Sequence, residues 1–333
     1  MKHANISLFV THMGCPHQCS FCNQKTISGS LKEITPEEVK ETLLKASCDN
    51  NEPENTEIAF FGGSFTAIDR GYMVSLLEAA KPFIDDGFFK GIRVSTRPDA
   101  IDEKVLEILE EYGVTAIELG AQSTDDDVLM LNNRGHSRED IIKASCLIKQ
   151  KGFSLGLQMM TGLLGDTDDK SLQTCEDIIF LKPDTVRIYP TIVLEGTYLG
   201  ELYKKGEYAP QTLENAVSLC AKLLRRFHEE NIKVIRLGLH SGGNVEEGYI
   251  AGPYHQAFGE LCEGEIYLSI ATEQLKDYGE GKYIIYVNPR EISKMTGQKQ
   301  KNKINLLSLG YEITVKGKEG LKKYEVEIQR NER

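Results

Sequence analysis

Three cysteines lie close together near the start of this 333-residue chain. Cys15, Cys19 and Cys22 have the spacing Cys-x3-Cys-x2-Cys, and Phe21 stands directly before the last of them. Three thiolates on one short loop are suited to a 4Fe–4S cluster, in which every iron takes a soft ligand. A cluster held by three cysteines would leave its fourth iron open to a small molecule.

Two other chemistries are possible for such a loop. A structural zinc site is closed by four ligands, commonly as two spaced pairs, so His12 or His17 would have to supply the fourth. No second Cys-x2-Cys pair exists in the sequence. A disulfide is disfavoured because the remaining cysteines stand alone in apolar or helical stretches and no signal-peptide pattern precedes the loop. The sequence therefore favours the cluster and keeps zinc as the alternative.

Composition places the chain among soluble globular proteins. Hydrophobic residues make up 40% and charged residues 27% of the sequence, and no apolar run of about 18 residues is present. We expect no membrane association and, because the ligand cysteines need a reducing compartment, a cytoplasmic protein. The net charge is −11, which argues against broad non-specific binding of nucleic acid. Residues 282–333 nevertheless carry a net charge of +6, with twelve Lys/Arg and six Glu, and could face an anionic partner.

Strand and helix patterns alternate along the first 240 residues. Apolar runs predict parallel strands at 6–10, 57–61, 91–96, 114–120, 153–160, 184–189 and 233–238. Helical patterns separate them, beginning with Thr35-Pro36-Glu37-Glu38, where a capping threonine precedes proline at the first helical position. Polar, glycine-rich stretches recur after nearly every strand. This favours a partial (β/α)6 TIM-like barrel, with function at the carboxyl ends of the strands, over a doubly wound sheet.

The remaining residues have a different pattern. Strands are predicted at 282–287, 311–315 and 324–328, with a short helix at 290–296 and Gly/Lys turns between them. We therefore divide the chain into a core barrel, residues 1–240, and a small C-terminal α+β accessory domain, residues 241–333.

Side chains at the strand ends suggest a ligand site. Gly62-Gly63-Ser64 follows the second strand, and two glycines let a ligand approach the backbone. Gln122 follows the fourth strand, and Arg134 comes twelve residues later. An amide beside a hydroxyl can bond a ribose, and a guanidinium fork is suited to a carboxylate.

The fifth and sixth strands add three further candidates. Gln158 stands near the end of the fifth strand, and Arg187 and Tyr189 alternate with apolar residues on the sixth. Alternation points Arg187 and Tyr189 to one face, which we take to be the barrel interior. An unpaired inward charge would be costly, so we predict a catalytic or substrate-binding role for both residues. Core packing is the alternative for Tyr189.

The cysteine triad with its preceding aromatic, just after a first strand, resembles the signature of the radical S-adenosylmethionine (SAM) superfamily. The resemblance implies a 4Fe–4S cluster on Cys15, Cys19 and Cys22, whose open iron chelates SAM and whose electron cleaves SAM to a 5′-deoxyadenosyl radical. It also implies that Phe21 lies by the adenine and that Gly62, Gly63 and Ser64 hold the amino group. By similarity to the oxygen-independent coproporphyrinogen dehydrogenases, Gln122 would contact the ribose and Arg134 the methionine carboxylate. Gln158 stands where those relatives have an acid, so an amide in contact with SAM at this position would be a departure from their pattern.

Several stretches are similar to one branch, the radical SAM domain of the Elongator catalytic subunit. The shared motifs are Gly62-Gly63-Ser64-Phe65, Thr96-Arg97-Pro98-Asp99, Glu118 to Ser123, Asn133 to His136 and Ile188-Tyr189-Pro190-Thr191. That family modifies wobble uridine in tRNA with SAM radical chemistry and acetyl-CoA. Two departures are a cysteine spacing one residue shorter and a C-terminal part unlike an acetyltransferase domain.

The resemblance implies a radical SAM enzyme acting on RNA, in particular tRNA. Expected partners are a reductant protein of the flavodoxin or ferredoxin type, tRNA, and acetyl-CoA or another small anionic substrate. The alternative substrate is a small anionic metabolite or cofactor. An alternative of another class is a catalytically inactive binding protein that holds a cluster or zinc.

Overall fold

A computed structural model of the chain describes residues 4–10, 18–23, 32–50, 52–239 and 243–331. Among these residues, seven parallel strands form one curled sheet, an open half-barrel, in the order β1-β2-β3-β4-β5-β6-β8. Two smaller sheets pair β7 with β9 and place β10 between β11 and β12. The strands are β1 (Ala4–Val10), β2 (Thr56–Gly62), β3 (Ile92–Thr96), β4 (Val114–Gln122), β5 (Ser154–Thr161), β6 (Thr185–Pro190), β7 (Val193–Leu194), β8 (Lys233–Leu237), β9 (Tyr249–Ala251), β10 (Gly281–Val287), β11 (Tyr311–Gly317) and β12 (Glu327–Arg330).

Helices connect the strands of the half-barrel, and four more helices follow its last strand in the described part of the chain. The helices are α1 (Pro36–Asp49), α2 (Arg70–Asp85), α3 (Glu103–Glu111), α4 (Asp126–Leu131), α5 (Arg138–Gln150), α6 (Asp168–Leu181), α7 (Tyr198–Lys205), α8 (Leu213–Glu229), α9 (Gly243–Gly248), α10 (Phe258–Leu275), α11 (Ile292–Thr296) and α12 (Lys301–Ser308). Helix α1 begins as predicted. Thr35 and Glu38 form a reciprocal capping box, and Pro36 takes the first helical position.

The two faces of the half-barrel differ in side-chain size. The helix-facing residues of the inner strands are bulky, aliphatic or aromatic and fully buried, among them Ile58, Phe60, Val94, Ile117 and Leu155. The alternate residues face the concave side, and many are small or polar: Ser7, Ala59, Ser95, Ala116, Gly120 and Gly156. Small side chains leave room on the concave side for the larger polar side chains between them.

The C-terminal part shares a helix with the half-barrel. Helix α10 packs against α8 and contributes Phe258, Cys262 and Ile266 to the main core. Its second half contributes Tyr267, Ala271 and Leu275 to a separate core under the three-stranded sheet. The boundary between the two cores thus runs through one helix, and the predicted division at residues 240 and 241 stays a prediction.

The predicted parallel strands of the half-barrel are confirmed, with bounds shifted by a few residues. The tail strand expected at 324–328 is wrong in position. Strand β12 begins at Glu327, and Tyr324 has a left-handed backbone with φ of 65°. Helix α10 was not predicted. None of the helices that the structure describes has the length and apolarity needed to span a membrane.

Candidate functional site

The second half of the cysteine loop is fixed at the carboxyl edge of the sheet. Cys19 is buried, Cys22 is half-buried, and the Cys22 amide donates to the Cys19 carbonyl at 3.1 Å, which closes a tight turn. Between them, the Ser20 hydroxyl donates to the Asn132 side chain at 2.5 Å, and the Ser20 carbonyl accepts from the Leu199 amide at 2.8 Å. Cys15 lies outside the described residues, so the structure positions two members of the predicted triad.

Arg134 links this loop to the end of β4. Its Nη1 lies 3.1 Å from Cys19 Sγ, and its Nη2 donates to the Gly120 carbonyl at 2.7 Å. The guanidinium also lies 6.0 Å from the ring centroid of Phe21, which packs against a small cluster around Val193 and Leu199. Cys19, Phe21 and Arg134, three of the predicted site residues, are therefore brought together, and their roles stay predictions.

Gln122 occupies a strained position beside Arg134. Strand β4 ends in a bulge there, and Gln122 has φ of 65°, an uncommon value for a residue with a side chain. A Cβ on Gly120 would lie 2.8 Å from Gln122 Nε2 and 3.4 Å from Arg134 Nη2, so glycine at 120 leaves room for both side chains. The oxygen Oε1 of Gln122 is buried and has no hydrogen-bond partner among the described residues. Strain of this kind is typical of ligand sites.

The glycine motif lies at the end of the neighbouring strand β2. Gly62 has φ of 121°, and a Cβ there would lie 2.2 Å from the Val10 carbonyl oxygen, so only glycine fits. The Ser64 hydroxyl is buried, accepts from the Arg97 amide at 2.9 Å and lies 3.1 Å from the Thr96 hydroxyl. Ser64 therefore ties β2 to β3, and its predicted contact with SAM stays a prediction, as does that of Gly63.

Two supporting residues of this edge were missed by the sequence reasoning. Arg97 forms a bidentate ion pair with Asp99, at 2.8 and 3.1 Å, and also donates to the Arg134 carbonyl. His136 lies 3.2 Å from the Ala121 carbonyl through Nε2, and its Nδ1 is buried without a partner in the described part of the chain. Burial and the charge of Arg134 lower the pKa of His136 to about 4, so its ring is neutral at pH 7. Both residues lie within motifs identified in the sequence, and their membership of those motifs is the signal that could have found them.

The concave side below this edge carries a buried charged network centred on Glu118. Arg187 donates to both of its oxygens, at 2.7 and 2.8 Å, while Arg93 and Gln158 donate at 3.2 and 2.9 Å. Arg93 in turn pairs with Glu57 at 2.8 Å. Gly156 makes room for this arrangement, since a Cβ there would lie 2.8 Å from Glu118 Cγ.

This network corrects one argument from the sequence. Arg187 and Tyr189 do face the concave side, but Arg187 is not an unpaired charge, because Glu118 pairs with it. Burial lowers the pKa of Arg187, but the charge and hydrogen bonds of Glu118 outweigh this and raise it above its ordinary value. Burial raises the pKa of Tyr189, which keeps the phenol protonated at neutral pH. Gln158 bonds Glu118. Its predicted contact with SAM and the catalytic roles of Arg187 and Tyr189 stay predictions.

The donor set fits the expected groups. Cys19 and Cys22 supply soft ligands on one turn, and Arg134 Nε and Gln122 Oε1 are buried polar atoms that have no partner among the described residues. Buried polar atoms are normally paired, so the unpaired ones gathered at this edge, which also include Arg97 Nη1 and His136 Nδ1, indicate a polar ligand. A guanidinium and an amide oxygen match a carboxylate and a hydroxyl.

Comparison with known proteins agrees with this geometry. The family model of the radical SAM superfamily matches residues 9–178, and that of the radical SAM C-terminal domain matches residues 183–267. The chain is 28% identical over 244 residues to a protein of Dehalococcoides mccartyi named tRNA uridine(34) acetyltransferase, covering 62% of this chain and 52% of the relative. It is 33% identical over 191 residues to the human Elongator complex protein 3, covering 51% of this chain and 35% of the relative.

A solved structure shows the same fold. The archaeal Methanocaldococcus infernus Elp3 with an N-terminal deletion superposes with a TM-score of 0.62 at 22% identity, over 84% of this chain and 64% of that one. The chain thus spans about half of the Dehalococcoides relative and about a third of the human one. Because one family model matches more than half of the sequence, the chain belongs to the radical SAM superfamily.

Proposed function

We propose that this chain reductively cleaves SAM at a 4Fe–4S cluster and modifies RNA, specifically tRNA, in an Elongator-like manner. The observation that carries the first half is the meeting of Cys19, Arg134 and Gln122 at one edge of the sheet, with Arg134 bonded to Cys19 Sγ and the Gly120 carbonyl. The second half is supported by the names of the relatives, which include a tRNA uridine(34) acetyltransferase.

Each residue of this edge has a proposed task. Cys15, Cys19 and Cys22 would hold the cluster, and Arg134 and Gln122 would hold the carboxylate and ribose sides of SAM, beside Phe21. When bound, the cluster supplies the electron for the cleavage and SAM the 5′-deoxyadenosyl group. Arg97 holds the Arg134 backbone in place, and the bonds of Asn132 and Leu199 to Ser20 hold the loop on the sheet.

The substrate would occupy the concave side, where Tyr189 presents a protonated phenol beside Arg187. A reductant of the flavodoxin or ferredoxin type and acetyl-CoA remain proposed partners, and the cytoplasm the proposed compartment. We also propose residues 1–240 as the catalytic core and 241–333 as an accessory domain that borders the substrate.

A small anionic metabolite is the second candidate substrate. The concave side favours it through its cations, because Arg93, Arg187 and Arg236 face this side, and Glu57 and Glu118 are the only carboxylates on that face of the described strands.

The test is an anaerobic assay of the reconstituted protein. The chain is loaded with iron and sulfide, reduced with dithionite and given SAM, and 5′-deoxyadenosine is measured by mass spectrometry with and without bulk tRNA. The Cys19→Ala variant is the cluster-free control, since two thiolates do not hold the cube. The Cys146→Ala variant, which removes an exposed thiol on α5, is the matched control and should behave as the wild type.

Each half of the proposal has its own readout. Deoxyadenosine above the Cys19→Ala background supports SAM cleavage, and stimulation by tRNA supports the RNA substrate. SAM cleavage that tRNA does not stimulate would favour the small anionic substrate. A fully loaded protein without product would leave an inactive scaffold, and a colourless zinc protein would contradict the cluster.

A further inference from the structure

Arg236 is a third arginine on the concave side and lies outside the Glu118 network. Its strand, β8, forms the edge of the half-barrel beside β6, and Arg236 stands directly opposite Arg187. Paired residues of adjacent parallel strands point to the same face, so Arg236 shares the concave face with Arg187 and Tyr189. Its half-buried side chain donates from Nε to the Gly238 carbonyl at 3.0 Å.

A bulge in β8 is what aims Arg236 inward. Val234 pairs with Val186 on the helix-facing side, but the next pair joins Arg236 to Arg187, so Ile235 is an extra residue. In a regular register that kept Ile235, Ile235 would lie opposite Arg187 and Arg236 opposite Ile188, a fully buried residue of the main core. Bulges commonly re-aim a side chain next to a functional site.

No carboxylate neutralises this guanidinium. Glu118 accepts two bonds on each oxygen, which uses its acceptor capacity, and Arg236 forms no ion pair with any described residue. The undescribed residues before Glu332 contain no Asp or Glu that could serve instead. Glu118 therefore offsets the charge of Arg187 but not that of Arg236, and like charges opposite each other on adjacent strands destabilise a sheet.

We propose that Arg236 anchors an oxyanion, a phosphate or carboxylate group, of the substrate that enters the concave side, with Tyr189 as a second donor. This deepens the proposed function by naming the chemical group the substrate must carry. Arg187 keeps its bonds to Glu118 and supplies positive potential, while the fork of Arg236 supplies the bidentate contact. Because burial keeps the Tyr189 phenol protonated, its hydroxyl can donate to the anion at neutral pH.

The test maps the reactivity of arginines in the cluster-loaded, SAM-loaded protein. Phenylglyoxal modifies accessible guanidinium groups, and mass spectrometry reports the extent of modification at each arginine. We expect inorganic phosphate, acetate or uridine monophosphate to protect Arg236 in a concentration-dependent way. Arg225, a half-exposed residue of the outer helix α8 that pairs with Glu229, is the internal control and should not be protected.

Binding of the same probes is then measured calorimetrically on variants. Arg236→Gln should weaken the affinity about tenfold or more, as loss of a charged hydrogen-bond donor does. Arg236→Lys should lie between Arg236→Gln and the wild type. Lys233→Gln removes an equal charge from the exposed start of the same strand and should change the affinity less than about twofold.

The outcomes separate this inference from the proposed function. Preference for phosphate and the nucleotide identifies a nucleotide phosphate, and preference for acetate identifies an acyl carboxylate; both support the anion site. Equal modification of Arg236 with and without the probes, or unchanged affinity in Arg236→Gln, overturns it even if SAM is cleaved. Protection of Arg236 in a protein that does not cleave SAM would contradict the proposed function but not the anion site.

Discussion

At the scale of single residues, Arg134 has the most varied contacts of the site. One guanidinium group reaches the Cys19 sulfur, the carbonyl at the end of β4 and the ring of Phe21, and its Nε is still unpaired among the described residues. The unpaired Nε can donate to an incoming carboxylate while the other guanidinium nitrogens of Arg134 keep their buried contacts.

Arg134→Ala should weaken SAM binding by about tenfold or more, because a charged donor to the carboxylate is lost. Cluster content, counted as iron and sulfide per chain, should stay close to that of the wild type. Equilibrium binding of SAM to the loaded protein is the measurement. The control is Arg138→Ala, four residues later, whose half-exposed guanidinium pairs with Asp177. Equal SAM affinity in wild type and Arg134→Ala would remove Arg134 from the site.

His136 should make stability depend on pH. Its pKa is about 4 in the folded chain against an ordinary value of 6.5, so the unfolded state binds more protons between these values. The free energy of unfolding therefore falls as the pH is lowered through this window, by about 3 kcal/mol in all. Urea unfolding of wild type and His136→Gln at pH 7 and pH 4 isolates this contribution. The wild type should lose about 3 kcal/mol more than the variant, and parallel losses would contradict the assignment.

At the scale of elements, Asn132 joins three segments. From the end of α4, its amide group accepts from Ser20 of the cysteine loop and donates to the Leu164 carbonyl after β5, at 2.5 and 2.9 Å. The side chain is fully buried. The loop therefore depends on helix α4 for its position as much as on the strand before it.

Asn132→Ala should lower the free energy of unfolding by about 2–4 kcal/mol, because it leaves the Ser20 hydroxyl and a carbonyl without partners. It should also speed the loss of iron to a chelator, since the loop is held less firmly. Urea unfolding and chelation rates test the two effects. Asn215→Ala, on the exposed side of α8, should stay within about 0.5 kcal/mol of wild type. Loss of iron from Asn132→Ala at the wild-type rate would show that the cysteine loop keeps its position without Asn132.

Local patterns explain what could be predicted at this scale. The threonine–proline start of α1 and the apolar strands are short-range signals, and the structure bears out the elements they predict. The pairing of Arg187 with Glu118 could not be read this way, because it joins residues 69 positions apart across two strands. Bulges in β4 and β8 escape prediction for the same reason, since only the neighbouring strand shows which residue is extra.

At the scale of the whole molecule, α10 couples the two cores. It packs on two sides, so its apolar residues do not follow a one-sided helical period, and this is why the sequence did not predict it. A helix shared by two cores should make the half-barrel and the C-terminal part unfold together.

Leu306→Ala tests this coupling from the C-terminal core. Leu306 is fully buried there, and the truncation should cost about 2–5 kcal/mol. We expect the denaturation midpoints seen by circular dichroism and by the cluster's visible absorbance to fall together. Leu307, at the next position, is 59% exposed. Leu307→Ala should change the free energy of unfolding derived from either probe by less than about 0.5 kcal/mol. A lowered midpoint by circular dichroism with an unchanged cluster midpoint would mean that the two parts unfold independently.

The bulge of β8 also has a genetic consequence. Side chains alternate along a strand, and Ile235 is the residue in excess of that alternation. Loss of its codon would remove the bulge and place Arg236 directly after Val234, still opposite Arg187. The strand can therefore lose one residue and keep its arginine on the concave side. Length variation confined to this bulge would leave the charge of the concave side intact in related chains.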